Sequence, residues 1–83
     1  MSEPTGNMQV LLEQIAKSLV DEPDQVSVTQ SGNGDASTFA LRVAPNDLGK
    51  VIGKQGRTAR AMRALIGAAG VKLNKRFNLE IIE

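Results

Sequence analysis

Apolar residues recur at Met8, Leu11, Leu12, Ile15 and Leu19, the i, i+3, i+4, i+7, i+11 spacing of an amphipathic helix. The pattern stops at "DEPD", where Pro23 disfavours helix at the residue before it. The period then shortens to two. "QVSVTQ" sets Val26 and Val28 against polar neighbours, and "TFALRVA" sets Phe39, Leu41 and Val43 against Thr38, Ala40 and Arg42, so both predict half-buried strands. Between them "SGNGDAS" is dense in turn residues and predicts a flexible hairpin connection. At the far end "RFNLEII" alternates Phe77, Leu79 and Ile81 with Arg76, Asn78 and Glu80 as a third strand.

Between the second and third strands the helical period returns. "PND" supplies a start, with Asn46 or Asp47 able to cap a short helix through "LGKVI". Gly53 interrupts it, and a second helix begins near Gly56 and runs to about Ala69, where Gly70 is expected to end it. Projected at about 100° per residue, that helix places Met62, Leu65, Ile66 and Ala69 on one face, with Ala59 at its edge, to bury against the sheet. Arg60 and Arg63 occupy another arc, led into by Arg57, and Ala61, Ala64 and Ala68 form a strip of small residues in line with Arg57. The order α-β-β-α-α-β predicts an α+β domain, a three-stranded sheet with helices packed on one face. Residues 1–7 are expected to be a flexible N-terminus and 8–83 a single domain.

Charge sharpens this picture. The net charge of +1 hides a division: residues 1–49 hold two bases and seven acids, whereas residues 50–83 hold eight bases and only Glu80 and Glu83. A basic second half points to a polyanionic partner. Cysteine and histidine are both absent, which removes thiolate metal sites, disulfides and the commonest general base. The remaining carboxylates show no paired arrangement suited to acid–base chemistry, so an enzyme is the least favoured class. No metal or cofactor is expected. The first residues lack a basic n-region and an apolar h-region, and no stretch approaches the ~20 apolar residues that span a bilayer. Neither a membrane nor a small-molecule substrate is therefore expected as partner, and the cytoplasm is the expected location.

The stretch "GKVIGKQGRTARAMRALIGAAG" carries the candidate chemistry. A helix N-terminus offers unpaired N–H groups and about half a positive charge, and Gly53 and Gly56 let a phosphate approach them. Lys54 adds a cation and Gln55 a neutral donor and acceptor, so the four residues can form a short phosphate clamp. They can equally be a plain glycine junction between two helices. A nucleotide P-loop does not fit: only three residues separate Gly49 from Gly53, and Gln55 stands where the magnesium-binding hydroxyl belongs. The alanine strip is either tolerated surface or a helix-packing seam between two copies of the chain.

"VIGKQGRTARAMRAL" resembles the KH-domain signature V-I-G-x-x-G-x-x-I-x-x-L, with Ala59 where a larger aliphatic residue is usual. The element order resembles the type II arrangement of that fold. "DLGKVIGKQGRTARAMR" and the chain length are similar to the small single-KH RNA-binding proteins of bacteria, the KhpA family. The resemblance covers residues 8–83. It implies a single-stranded RNA-binding module in which Gly53, Lys54, Gln55 and Gly56 hold the backbone of about four unpaired nucleotides, joined by Lys50, Arg57 and Arg60. The bases would lie in a shallow apolar groove formed by Ile52 and a strand edge at the polar-phase neighbours of Val43. The resemblance further implies a homodimer, a larger KH-containing RNA-binding partner, and a role as RNA chaperone or post-transcriptional regulator linked to cell elongation and division. The competing expectation is a dimerisation or protein-interaction adaptor whose glycine loop is only structural.

Overall fold

The structure, a computed structural model, describes residues 4–32 and 35–82. Along the chain run α1 (Pro4–Leu19), β1 (Ser27–Gly32), β2 (Ala36–Arg42), α2 (Leu48–Ile52), α3 (Arg57–Lys72) and β3 (Arg76–Ile82). Single 3-10 turns occur at Pro23–Gln25, Pro45–Asp47 and Lys54–Gly56. This is the expected α+β order. Helix α1 starts at Pro4, earlier than its apolar pattern indicates, while the rest of the expected flexible terminus, residues 1–3, lies outside the described residues. The tip of the expected hairpin connection, Asn33 and Gly34, also lies outside them, and the strands reach into its flanks at Gly32 and Ala36.

The sheet order is β1-β2-β3, with β2 antiparallel to β1 and parallel to β3. A parallel pair needs a crossover, and here the crossover is α2, the glycine turn and α3. The turn therefore sits between two helices beyond the carboxyl end of β2. Register places Val28 opposite Leu41, Phe39 opposite Leu79 and Leu41 opposite Ile81, so one apolar face is continuous across all three strands. Phe39 and Phe77 meet edge to face, with centroids 5.4 Å apart and planes at 89°, the arrangement that ring quadrupoles favour. Leu12 and Ala16 of α1 and Ala59, Met62 and Ile66 of α3 complete the buried core.

Several expectations need correction. Leu65 is 58% exposed rather than buried, and Gly70, expected to end the helix, is a buried residue within it. The two facts are linked. A Cβ on Gly70 would stand 2.7 Å from the Lys75 carbonyl oxygen and 3.4 Å from the Phe77 ring, so glycine allows α3 to lie close to the start of β3. Gly70 and Leu65 are about 140° apart around the axis, and a helix turned to bury one exposes the other. The helix ends instead at Lys72, and Asn74 beyond it takes the left-handed conformation at φ 57°. The Lys75 N–H donates to Gly70 O at 2.7 Å and the Asn74 N–H to Val71 O at 3.1 Å, the paired bonds of a Schellman motif. In α1 the buried stripe is likewise narrower than expected, with Leu11 and Leu19 partly exposed beside Leu12 and Ala16.

Strand β2 is central, paired on both sides through Arg42, and Ala44 beyond it is buried. No open strand edge exists at the neighbours of Val43. The free edges belong to β1 and β3, and the β3 edge is the one beside α3: Arg63 Nε donates to Leu79 O at 3.4 Å.

Candidate functional site

Helix α2 is only five residues long and has little intrinsic stability. Its position comes from Val51, fully buried in the core, and from Asp47 and Lys50. Asp47 was expected as a cap for its own helix, but its side chain makes no such bond. Its buried carboxylate accepts the backbone N–H groups of Asp21 (3.2 Å) and Glu22 (3.0 Å), satisfying the chain where it leaves α1. The Lys50 ammonium bridges Asp21 Oδ2 at 2.9 Å and Asp47 Oδ1 at 3.3 Å. Burial alone would raise the pKa of Asp47, but the two N–H groups and Lys50 outweigh it and hold the carboxyl below its ordinary value. Hydrogen bonds to Asp21 and Asp47 in turn raise that of Lys50. Of the expected phosphate-binding cations, Lys50 is thus already paired with carboxylates, and it anchors α2 to the far side of the domain.

The turn that follows is tightly specified. Gly53 has φ 80° and ψ 170°, and a Cβ there would collide with Thr58 Oγ1 and stand 2.8 Å from the Thr58 nitrogen. Gly56 has φ 75°, with open space where a Cβ would be. The first position is therefore glycine for conformation and packing, the second for conformation alone. Between them Gln55 is left-handed at φ 58° and ψ 25°, which costs an ordinary side chain about 1–2 kcal/mol. Two arginines hold it: Arg60 Nη2 donates to Gln55 O at 2.7 Å, and Arg57 Nη2 to Gln55 Oε1 at 3.3 Å. A net ~1 kcal/mol per hydrogen bond offsets much of the conformational cost. That preorganising role of the arginines was not visible in their spacing.

No side chain caps α3 at Gly56, the Arg57 N–H turns back onto Lys54 O, and the exposed Lys54 and Gln55 immediately precede this end of the helix. Lys54, Arg57 and Arg60 make no ion pair among the described residues. Ile52, 37% exposed at the end of α2, supplies the apolar contact beside the turn. The structure thus gathers Ile52, Gly53, Lys54, Gln55, Gly56, Arg57 and Arg60 at one end of α3. Arg63 is drawn away to the β3 edge. On another face of the helix Ala61, Ala64 and Ala68 are exposed together with Leu65, which extends the alanine strip into a broader apolar surface.

The chain matches the family described as KhpA/KhpB, KH domain over residues 9–81. It belongs to that family. A protein of Clostridium acetobutylicum named RNA-binding protein KhpA is 57% identical over 75 residues, 90% of this chain and all of the relative. Proteins of the same name from Halalkalibacterium halodurans and Borreliella burgdorferi are 49% and 45% identical, covering 92% and 94% of this chain and 100% and 95% of their own lengths. The fold is that of a KhpA/KhpB-type KH domain. No helix among the described residues is long and apolar enough to cross a membrane.

Proposed function

We propose that the chain binds single-stranded RNA without catalysing a reaction, holding the backbone of about four nucleotides against Gly53, Lys54, Gln55 and Gly56. The observation that carries this reading is the turn itself: Gly53, Gln55 and Gly56 at positive φ lead into a helix N-terminus with no side-chain cap, beside Lys54, Arg57 and Arg60, which make no ion pair among the described residues. The names of the relatives support the same polymer class. Arg57 and Arg60 serve the clamp twice, as positive charge and as the groups that fix Gln55. Lys50 contributes through its hold on α2. The groove for the bases is bounded by Ile52 and by the free edge of β3, where Arg63 stands.

The test is replacement of Lys54 and Gln55 by aspartate. Two carboxylates would then sit where phosphate must approach, so RNA binding should fall by at least about tenfold while the melting curve stays unchanged. Wild-type affinity should also fall with salt at a log–log slope of about −0.7 per phosphate neutralised. Unaltered binding in the double variant, or a slope near zero, overturns the clamp.

The exposed face of Ala61, Ala64, Leu65 and Ala68 supports a second reading, as the seam of a homodimer or the contact for a larger KH-containing RNA-binding protein. A bulky residue at Ala61 should then abolish self-association and leave RNA binding by the monomer intact. Both activities fit one cytoplasmic RNA chaperone or post-transcriptional regulator, linked to cell elongation and division.

A further inference from the structure

Between Asp47 and Glu80 the chain contains no carboxylate, and its cations fall into two groups at opposite ends of α3. Lys54, Arg57 and Arg60 surround the glycine turn. Lys72, Lys75 and Arg76 stand where α3 hands over to β3, and among the described residues they make no ion pair. Cations at a helix C-terminus ordinarily complement its dipole. That dipole amounts to about half a negative charge, too little to account for three cations even with Asp35 nearby. An open depression of about 480 Å³ lies beside them, lined by Asp35, Ala36, Val71, Asn74, Lys75 and Arg76. Its walls combine what a nucleotide's backbone and sugar need: two cations, an amide, and the apolar surfaces of Val71 and Ala36. Val71 is 75% exposed there.

Resting on the RNA-binding reading above, we propose that this depression is a second backbone site for the same RNA strand. The strand leaves the glycine turn, follows α3 beside the β3 edge and places a phosphodiester against Lys75 and Arg76. Along α3 itself, from Arg57 to Lys72, the route meets no carboxylate. Arg60, Gly67 and Val71 are spaced i, i+7, i+11 and so share one helix face over about 16 Å. Gly67 presents no side chain, and a Cβ there would meet nothing within 4 Å. Arg63, flanking this face, spends only its Nε on Leu79 O and keeps the other guanidinium donors for phosphate. The exposed surface of Ala61, Leu65 and Ala68 lies to the other side of this track, with Ala64 at the boundary between the two.

The test compares the full chain with a Lys75→Gln/Arg76→Gln variant on unstructured oligoribonucleotides of about four residues and about three times that length. Fluorescence anisotropy gives the affinities, and melting curves confirm an unchanged fold. The variant should bind the short oligonucleotide within about twofold of wild type and the long one about fivefold or more weakly, with the salt slope on the long one reduced by about 0.7–1.4. Equal affinity of variant and wild type for the long oligonucleotide overturns the proposal. So does an equal loss at both lengths, the signature of long-range attraction, or loss of protein-partner binding with RNA binding intact. The two sites are separable: if Lys54→Asp/Gln55→Asp retains long-oligonucleotide binding that disappears when Lys75→Gln/Arg76→Gln is added, the clamp fails and the second site stands.

Discussion

At its amino end α3 is entered through Gly53, Gln55 and Gly56, all at positive φ, and no side chain caps the first turn. At its carboxyl end a single left-handed residue, Asn74, suffices, and the N–H groups of Leu73, Asn74 and Lys75 fold back onto the carbonyls of residues 69–71. Both ends also depend on a glycine that a methyl group would disturb. Gly53 meets Thr58 and Gly70 meets the Lys75 carbonyl. The difference lies in what each end does with its backbone polar groups. The carboxyl end satisfies them internally, as a structural turn should. The amino end turns the N–H groups of Gly56 and Arg57 back onto Gly53 O and Lys54 O but gives α3 no side-chain cap, and it accepts a conformational cost at Gln55, the allocation expected where a ligand supplies the cap.

Substitutions at the two ends can break or sharpen this contrast. Gly53→Ala carries the largest penalty, because it combines a left-handed Cβ with a collision at Thr58. It should cost about 3 kcal/mol or more, seen as a fall of at least ~12 °C in Tm, and a tolerated alanine would mean that Thr58 does not fix the turn. Gly70→Ala should cost about 2 kcal/mol by pushing Lys75 away, while the folded fraction still binds short RNA normally. Acid probes the platform beneath the open end. Because Asp47 is held below its ordinary pKa, its stabilising contribution is full above about pH 3.8 and is lost as the pH falls through its lower folded value. Urea melts at neutral and strongly acidic pH should show that loss, and Asp47→Asn should flatten this part of the profile. Gln55→Gly relieves the left-handed side chain and should raise stability by up to about 1 kcal/mol, with weaker RNA binding because the side chain held by Arg57 is gone. Smallest is Asn74→Gly, a gain of a few tenths of a kcal/mol at most, since asparagine tolerates this conformation.

Much of the fold is legible in the sequence because its signals are local. Alternation placed Val28, Phe39, Leu41, Phe77 and Leu79 in the core, and "LGKVI" matches α2 residue for residue. The glycine turn was legible too, since left-handed positions need particular residues. Other features depend on neighbours distant in the chain. Alternation identifies a strand without saying which strands flank it, so the central position of β2 was hidden. The half-burial of Thr38 and Ala40 on its outer face agrees with that position. Lys50 finds Asp21 across 29 residues, a pairing no local pattern contains. Leu65 and Gly70 exchange expected roles because helical periodicity locates an apolar stripe only to within about one residue's rotation, and the close approach of β3 decides the rest. In the candidate site the same limit hid the bonds from Arg57 and Arg60 to Gln55 while leaving the residues themselves conspicuous.

The edge-to-face pair of Phe39 and Phe77 joins the strand that enters the crossover to the strand that leaves it. The α2–turn–α3 arm thus has both its feet fastened in one core, with Val51, Met62 and Ile66 buried along it. Encounter with RNA then requires no prior opening step, and association should proceed at a rate set by diffusion and charge. A module built this way should distinguish its ligands by residence time: short oligonucleotides would arrive and leave quickly, and only those that engage more of the surface would remain.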